Sequence, residues 1–259
     1  MSYLNRSHVL EACEKMQAFY SQLADLYKSH GMDIESNRGR RNILMSEPME
    51  IFLAEALSKS YPVISDGRTG KADIVVHLTK TNSKELECKL TSPHASSGSI
   101  CFQTDFETLE KKGNLDYIYL VANEDFSGFC AIYFEGLTID DFRGVSPGAR
   151  GKVQMFKHKG MKKATVLMGE VIDLKEQRIS RIQSNIIEAQ EENTLLCNKL
   201  ENKISLLRDS QIYDRNKIND KIDRSKYILA NRINKMKNNI KLSIDKKSRY
   251  TFRFEKMEK

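Results

Sequence analysis

Asp73, Glu87 and Lys89 are the residues whose types and spacing could do chemistry together. On a β-strand, alternate side chains share a face, so in Glu85 to Leu90 the charged Glu85, Glu87 and Lys89 point one way and Leu86, Cys88 and Leu90 the other. Upstream, Asp73 interrupts the apolar, β-branched run Ala72 to Leu78, and Thr81-Asn82-Ser83 supplies turn residues between the two stretches. The pattern predicts a hairpin that sets Asp73 beside Glu87. Two carboxylates held that close repel unless a proton or a cation lies between them, and Mg²⁺ is usually bound by one or two carboxylates. Such an ion can polarise a phosphoryl oxygen, and a neighbouring Lys can orient a water or stabilise developing negative charge.

The order Asp73, thirteen residues, then Glu87-Cys88-Lys89 resembles the signature of the PD-(D/E)xK nuclease superfamily, most closely its type II restriction endonucleases. The family's Pro-Asp is Ala72-Asp73 here. The resemblance implies an α/β, restriction-endonuclease-like core, a mixed sheet flanked by helices. It implies Mg²⁺, with Mn²⁺ as a substitute, held by Asp73, Glu87 and the main-chain carbonyl of Cys88, and Lys89 serving the attacking water. It also implies a Glu from a preceding helix beside the metal, which falls on Glu50, with Glu55 second. Gln103 matches a polar residue that often follows the signature and is a candidate DNA contact, and it is equally an ordinary helix-start residue. Without the resemblance, alternating acids and bases would also suit a solvated strand.

The elements that must position these groups are readable around them. In MEIFLAEALSKSYP, Glu50, Leu53, Ala54 and Leu57 share one helical stripe, and a Glu at the edge of a core-facing stripe is costly without a task. TDFETLEKK reads as a helix, and Asp116 to Ala122 and Phe129 to Leu137 as strands. From Val9 to Tyr27, the residues Leu10, Met16, Phe19, Leu23, Leu26 and Tyr27 recur at helical spacing. Asn37 to Asn42 holds three Arg around one Gly and reads as a loop that either contacts a DNA backbone or connects helices. Ile64 to Lys71 is not a phosphate-binding loop, because two residues rather than four separate its glycines and a strand follows. Asp66 within it is a turn former or a reserve acid.

Two later stretches are basic. In residues 146–166, Arg150, Lys152, Lys157, Lys159, Lys162 and Lys163 crowd fourteen positions without an acid, which reads as a basic hairpin turning at Lys159-Gly160. Such cations can bond phosphate or guanine edges, or keep a solvated hairpin from pairing with other edges. Residues 1–169 hold 21 basic and 21 acidic side chains and residues 170–259 hold 21 against 14, so the +7 net charge resides in the tail. That tail lacks Gly and Pro and repeats in sevens: Ile179, Ile186, Asn193, Leu200 and Leu207 form one column, with Ile182, Ala189, Leu196 and Lys203 beside it. It reads as long helices that dimerise, clasp DNA or fold back as an internal hairpin, with Asn193 fixing register.

These readings predict a nuclease core over 1–169 and a basic helical domain over 170–259. The expected function is Mg²⁺-dependent, site-specific cleavage of double-stranded DNA by a homodimer. A repair or junction nuclease is the alternative within the same chemistry, and a non-enzymatic DNA-binding coiled-coil protein is the alternative outside it. Five Cys without metal-ligand spacing suit a reducing, cytoplasmic setting, and the absence of an apolar leader or of 18 consecutive apolar residues argues against export and membrane spanning.

Overall fold

The computed structural model describes residues 2–65, 71–94, 98–145, 151–208, 211–244 and 248–257. The chain divides into two units, Met1–Val171 together with Thr251–Lys259, and Ile172–Tyr250.

The first unit is an α/β fold on a seven-stranded mixed sheet. Its order is β1 (Val63–Ser65), β2 (Ile74–His77), β3 (Ser83–Thr91), β5 (Asn114–Ala122), β6 (Gly128–Thr138) and β11 (Glu255–Lys256), with β8 (Ala164–Met168) also paired to β6. The pairing is antiparallel except between β3 and β5, which run parallel. All of β5 beyond Asn114 is buried, so both faces of its continuous apolar run are covered, as suits a central strand. Helix α1 (Arg6–Ser29) and helix α2 (Arg38–Ser58) contribute to the cluster on one face, with Ile74, Val76, Leu86 and Cys88. Phe102, Leu109, Tyr117, Tyr119 and Phe134 pack on the other. A separate ribbon, β4 (Gln103–Asp105) with β7 (Lys152–Gln154), and the short helices α3 (Phe106–Lys112) and α4 (Lys157–Gly160) complete this side.

Several sequence expectations change. The buried face of α1 is Val9, Ala12, Cys13, Met16 and Tyr20, whereas Phe19 and Leu26 are exposed, because the small Ala12 and Cys13 face the core. Asn37 to Asn42 is no loop: Asn37 caps α2 by accepting from the Arg40 N–H, and the helix runs through Pro48. Arg41 in its first turn is fully buried and donates to Ser92 Oγ (2.9 Å) and to the carbonyls of Asn123 and Glu124. The helical domain also stops short of residue 259, since β11 returns to pair with β6 in the first unit.

In the second unit, α5 (Leu174–Ser205) and α6 (Ile212–Ile244) pack on each other as an internal hairpin. Asn193 is spent inside it, accepting from Ser225 Oγ at 2.6 Å and donating to Cys197 Sγ. Strands β9 (Glu170–Asp173) and β10 (Tyr250–Arg253) pair with each other where the chain enters and leaves the hairpin. Among the described residues, no helix is long and apolar enough to cross a membrane.

Candidate functional site

The predicted hairpin forms. Ile74 lies opposite Leu86 and Val75 opposite Glu85, a register that brings Asp73 level with Glu87. The Cys88 N–H donates to Asp73 Oδ2 at 2.7 Å, which fixes the carboxylate against β3. Lys89 Nζ donates to Glu87 Oε1 at 2.6 Å. Leu86 and Cys88 turn into the core beneath the helices, as alternation requires, and burial pushes the Cys88 thiol far up, out of thiolate chemistry. Glu85, the third charge of this face, is paired with Lys112 at 2.6 Å. The parallel partner strand sets Tyr117 beside Glu87 and Tyr119 beside Lys89.

Glu50 joins the cluster from α2. It sits on the stripe of the buried Leu53, Ala54 and Leu57, half-buried, within the field of Asp73, Lys89 and Glu87. Its pKa is pushed up to about 7, by burial first and by the Asp73 charge second. Glu55 faces elsewhere, in an ion pair with Lys15 at 2.9 Å.

Three carboxylates thus share one ammonium in a site where Glu87 is 6% exposed. Burial raises Asp73 and Glu87 above the usual carboxylate range against the opposing pull of Lys89. Burial alone would lower Lys89, yet Glu87 and Asp73 outweigh it and hold the ammonium above its ordinary value. Lys89 stays charged because it faces two acids, whereas each acid also faces another acid. Glu87 Oε2 is buried and, among the described residues, has no hydrogen-bond partner. A buried carboxylate oxygen without a partner is unfavourable and invites a proton or a cation. Among the described residues, no three His, Cys, Asp or Glu side chains stand together as a metal cage.

Asp105 is a site residue that sequence reasoning missed. Its charge reaches Asp73, Glu87 and Lys89, although it lies at the end of β4, before α3. In TDFETLEKK it looks like any acid before a helix. The other unforeseen feature is its partner strand: β7 pairs with β4, so Lys152 lies opposite Asp105 and Gln154 opposite Gln103.

The basic segment is not a hairpin. Its two arms pair elsewhere, β7 with β4 and β8 with β6, and Lys159-Gly160 lies in α4. A Cβ on Gly160 would collide with the Met155 side chain, so glycine there serves packing rather than a turn. Three of the five described cations are engaged internally: Lys157 lies over the Phe102 ring, Lys159 donates to the Asp140 carbonyl at 2.8 Å, and Lys163 pairs with Asp141 at 2.7 Å. Lys152 and Lys162 are exposed, as is Gln103. His158 packs against the Phe156 ring. Arg150 and Asp66 lie outside the described residues.

Compared with known proteins, the chain matches no family model, no curated protein and no solved structure.

Proposed function

We propose that this chain is a Mg²⁺-dependent endonuclease that cleaves double-stranded DNA at specific sites, with a restriction-endonuclease-like core. The observation that carries this reading is that Asp73, Glu87 and Lys89 stand together at β2 and β3 within the field of Glu50, with one buried Glu87 oxygen that has no partner among the described residues. The residues fit a hard divalent cation: the excess of carboxylate over ammonium needs positive charge, and the orphaned Oε2 needs a partner. Asp73, Glu87 and the Cys88 carbonyl would hold Mg²⁺. Two carboxylates suffice for an ion that keeps several of its waters, so a three-side-chain cage is not required.

When bound, the ion supplies Lewis-acid stabilisation of the phosphoryl oxygens. Lys89, kept protonated by its acidic neighbours, holds a water oxygen and stabilises negative charge developing on phosphate. As an ammonium it accepts no proton. Glu50, half-buried on α2 within the field of Asp73, Lys89 and Glu87, is the group suited to take the water's proton. Tyr117 and Tyr119 wall the site. With one such site among the described residues of the chain, cutting both strands calls for two copies related by a twofold axis.

The test is incubation of the purified chain with supercoiled plasmid. Discrete fragments in Mg²⁺ or Mn²⁺, none in EDTA, and binding without cutting in Ca²⁺ are the expected results. A smear would point to an unspecific or repair nuclease, and intact plasmid in Mg²⁺ would remove the reading.

A further inference from the structure

The β4/β7 ribbon lies wholly within the first unit and stands outside its main sheet. Its inner face is Thr104 and Val153, both buried. Its outer face carries Gln103, Asp105 and Lys152, all exposed, and the half-buried Gln154. The register sets Gln103 opposite Gln154 and Asp105 opposite Lys152, so four polar side chains form one compact patch.

The anchoring of this ribbon is specific. Thr104 Oγ1 and Tyr117 Oη are hydrogen-bonded at 3.0 Å, and Tyr119 Oη donates to the Gln103 carbonyl at 2.9 Å. These are the tyrosines that neighbour Glu87 and Lys89 on the adjacent strand. The outer face is therefore held at a fixed offset from the carboxylate cluster. Beside Gln103 opens a polar groove of ≈ 700 Å³, lined also by Arg38, Asn42, Ser92 and His94.

We propose that the outer face of the β4/β7 ribbon reads base edges in duplex DNA, with Gln103 as its adenine reader and Lys152 as its guanine or phosphate contact. The proposal rests on the nuclease reading of the Asp73, Glu87 and Lys89 site. A two-stranded ribbon fits the major groove, where a Gln amide both donates and accepts and so matches adenine N6 and N7, while a Lys ammonium matches guanine O6 and N7. Gln103 is free to do this: its main chain is anchored while its side chain projects to solvent. Gln154 is less free, because its Nε2 donates to Cys101 Sγ.

The experiment selects binders from a randomised duplex DNA library with the full chain in Ca²⁺, and compares wild type with Gln103→Ala, Gln103→Glu and Lys152→Ala. Wild type should enrich one sequence. Gln103→Ala should weaken binding to that sequence about 10- to 100-fold more than binding to unselected duplex. Gln103→Glu should move the preference at one position from adenine to cytosine, a gain that misfolding cannot produce. The same enriched sequence at the same strength in all three variants, or no sequence preference in wild type, would overturn the proposal. Plasmid cleavage in Mg²⁺, followed in parallel, reports the nuclease reading separately: a protein that selects a sequence without cutting fails there and not here.

Discussion

The first unit holds two buried carboxylates that each meet a lysine at nearly the same distance, Glu87 with Lys89 at 2.6 Å and Asp141 with Lys163 at 2.7 Å, and their acidities move in opposite directions. Burial pushes both up. At Asp141 the Lys163 ammonium and the Thr138 N–H, which donates to Oδ2 at 2.9 Å, more than offset it, so the acid is held below the usual carboxylate range. At Glu87 one oxygen has no partner among the described residues, Asp73 adds a like charge, and the acid stays above that range. A lysine at hydrogen-bond distance therefore does not by itself say what a pair is for. Completeness does: Asp141 closes a turn with its needs met, whereas Glu87 leaves a need that a ligand can meet.

The largest expected effect is on catalysis. Asp73→Ala or Lys89→Ala should slow plasmid cleavage by about 10²–10⁴-fold, while Asp141→Asn, assayed well below its melting point, should cut at close to the wild-type rate. Equal losses at both pairs would erase the distinction. Stability should show the reverse order. Asp141→Asn should cost about 1–3 kcal/mol in urea unfolding, because it leaves Lys163 and the Thr138 N–H with a poorer partner. In EDTA, Glu87→Gln should unfold at the same or a higher urea concentration than wild type. Added Mg²⁺ should stabilise wild type and not this variant.

The pH dependence sharpens the contrast further. Asp141 has a lowered folded value, so its contribution is full above its unfolded value of 3.8 and is lost as the pH falls through the folded one. Glu50 is raised from 4.5 to about 7, so its contribution is present below the first value and is lost as the pH rises through the second. In EDTA, Glu50→Gln should therefore match wild type in melting temperature at about pH 4 and exceed it by about pH 8. A constant gap across that range would contradict the raised value. The smallest effect concerns the basic segment. Lys162→Ala should lower the salt slope of duplex binding by about 0.9, as for one lost phosphate contact. Lys163→Ala should act mainly on folding, since it strands Asp141.

Local chemistry made much of this legible in advance. Period-two alternation separated the charged and apolar faces of β3, the turn residues closed the hairpin, and the helical stripe carried Glu50 to the core edge. Composition alone disclosed the long helices of the second unit. Other features depended on partners distant in sequence. Gln103 and Gln154 are cross-strand neighbours 51 residues apart, β11 closes onto β6 from the far end of the chain, and Arg41 is buried by the carbonyls of residues 123 and 124. Asn193 illustrates the boundary. The heptad column marks it as a core polar residue needing a partner, but a seven-residue repeat is equally satisfied by a second copy or by the same chain folding back. The sequence by itself determined which side chains share a face, because φ/ψ geometry sets that period locally. Which face meets which was decided in three dimensions, where burial and hydrogen-bond satisfaction are summed over the whole fold, and there Ser225 became the partner of Asn193.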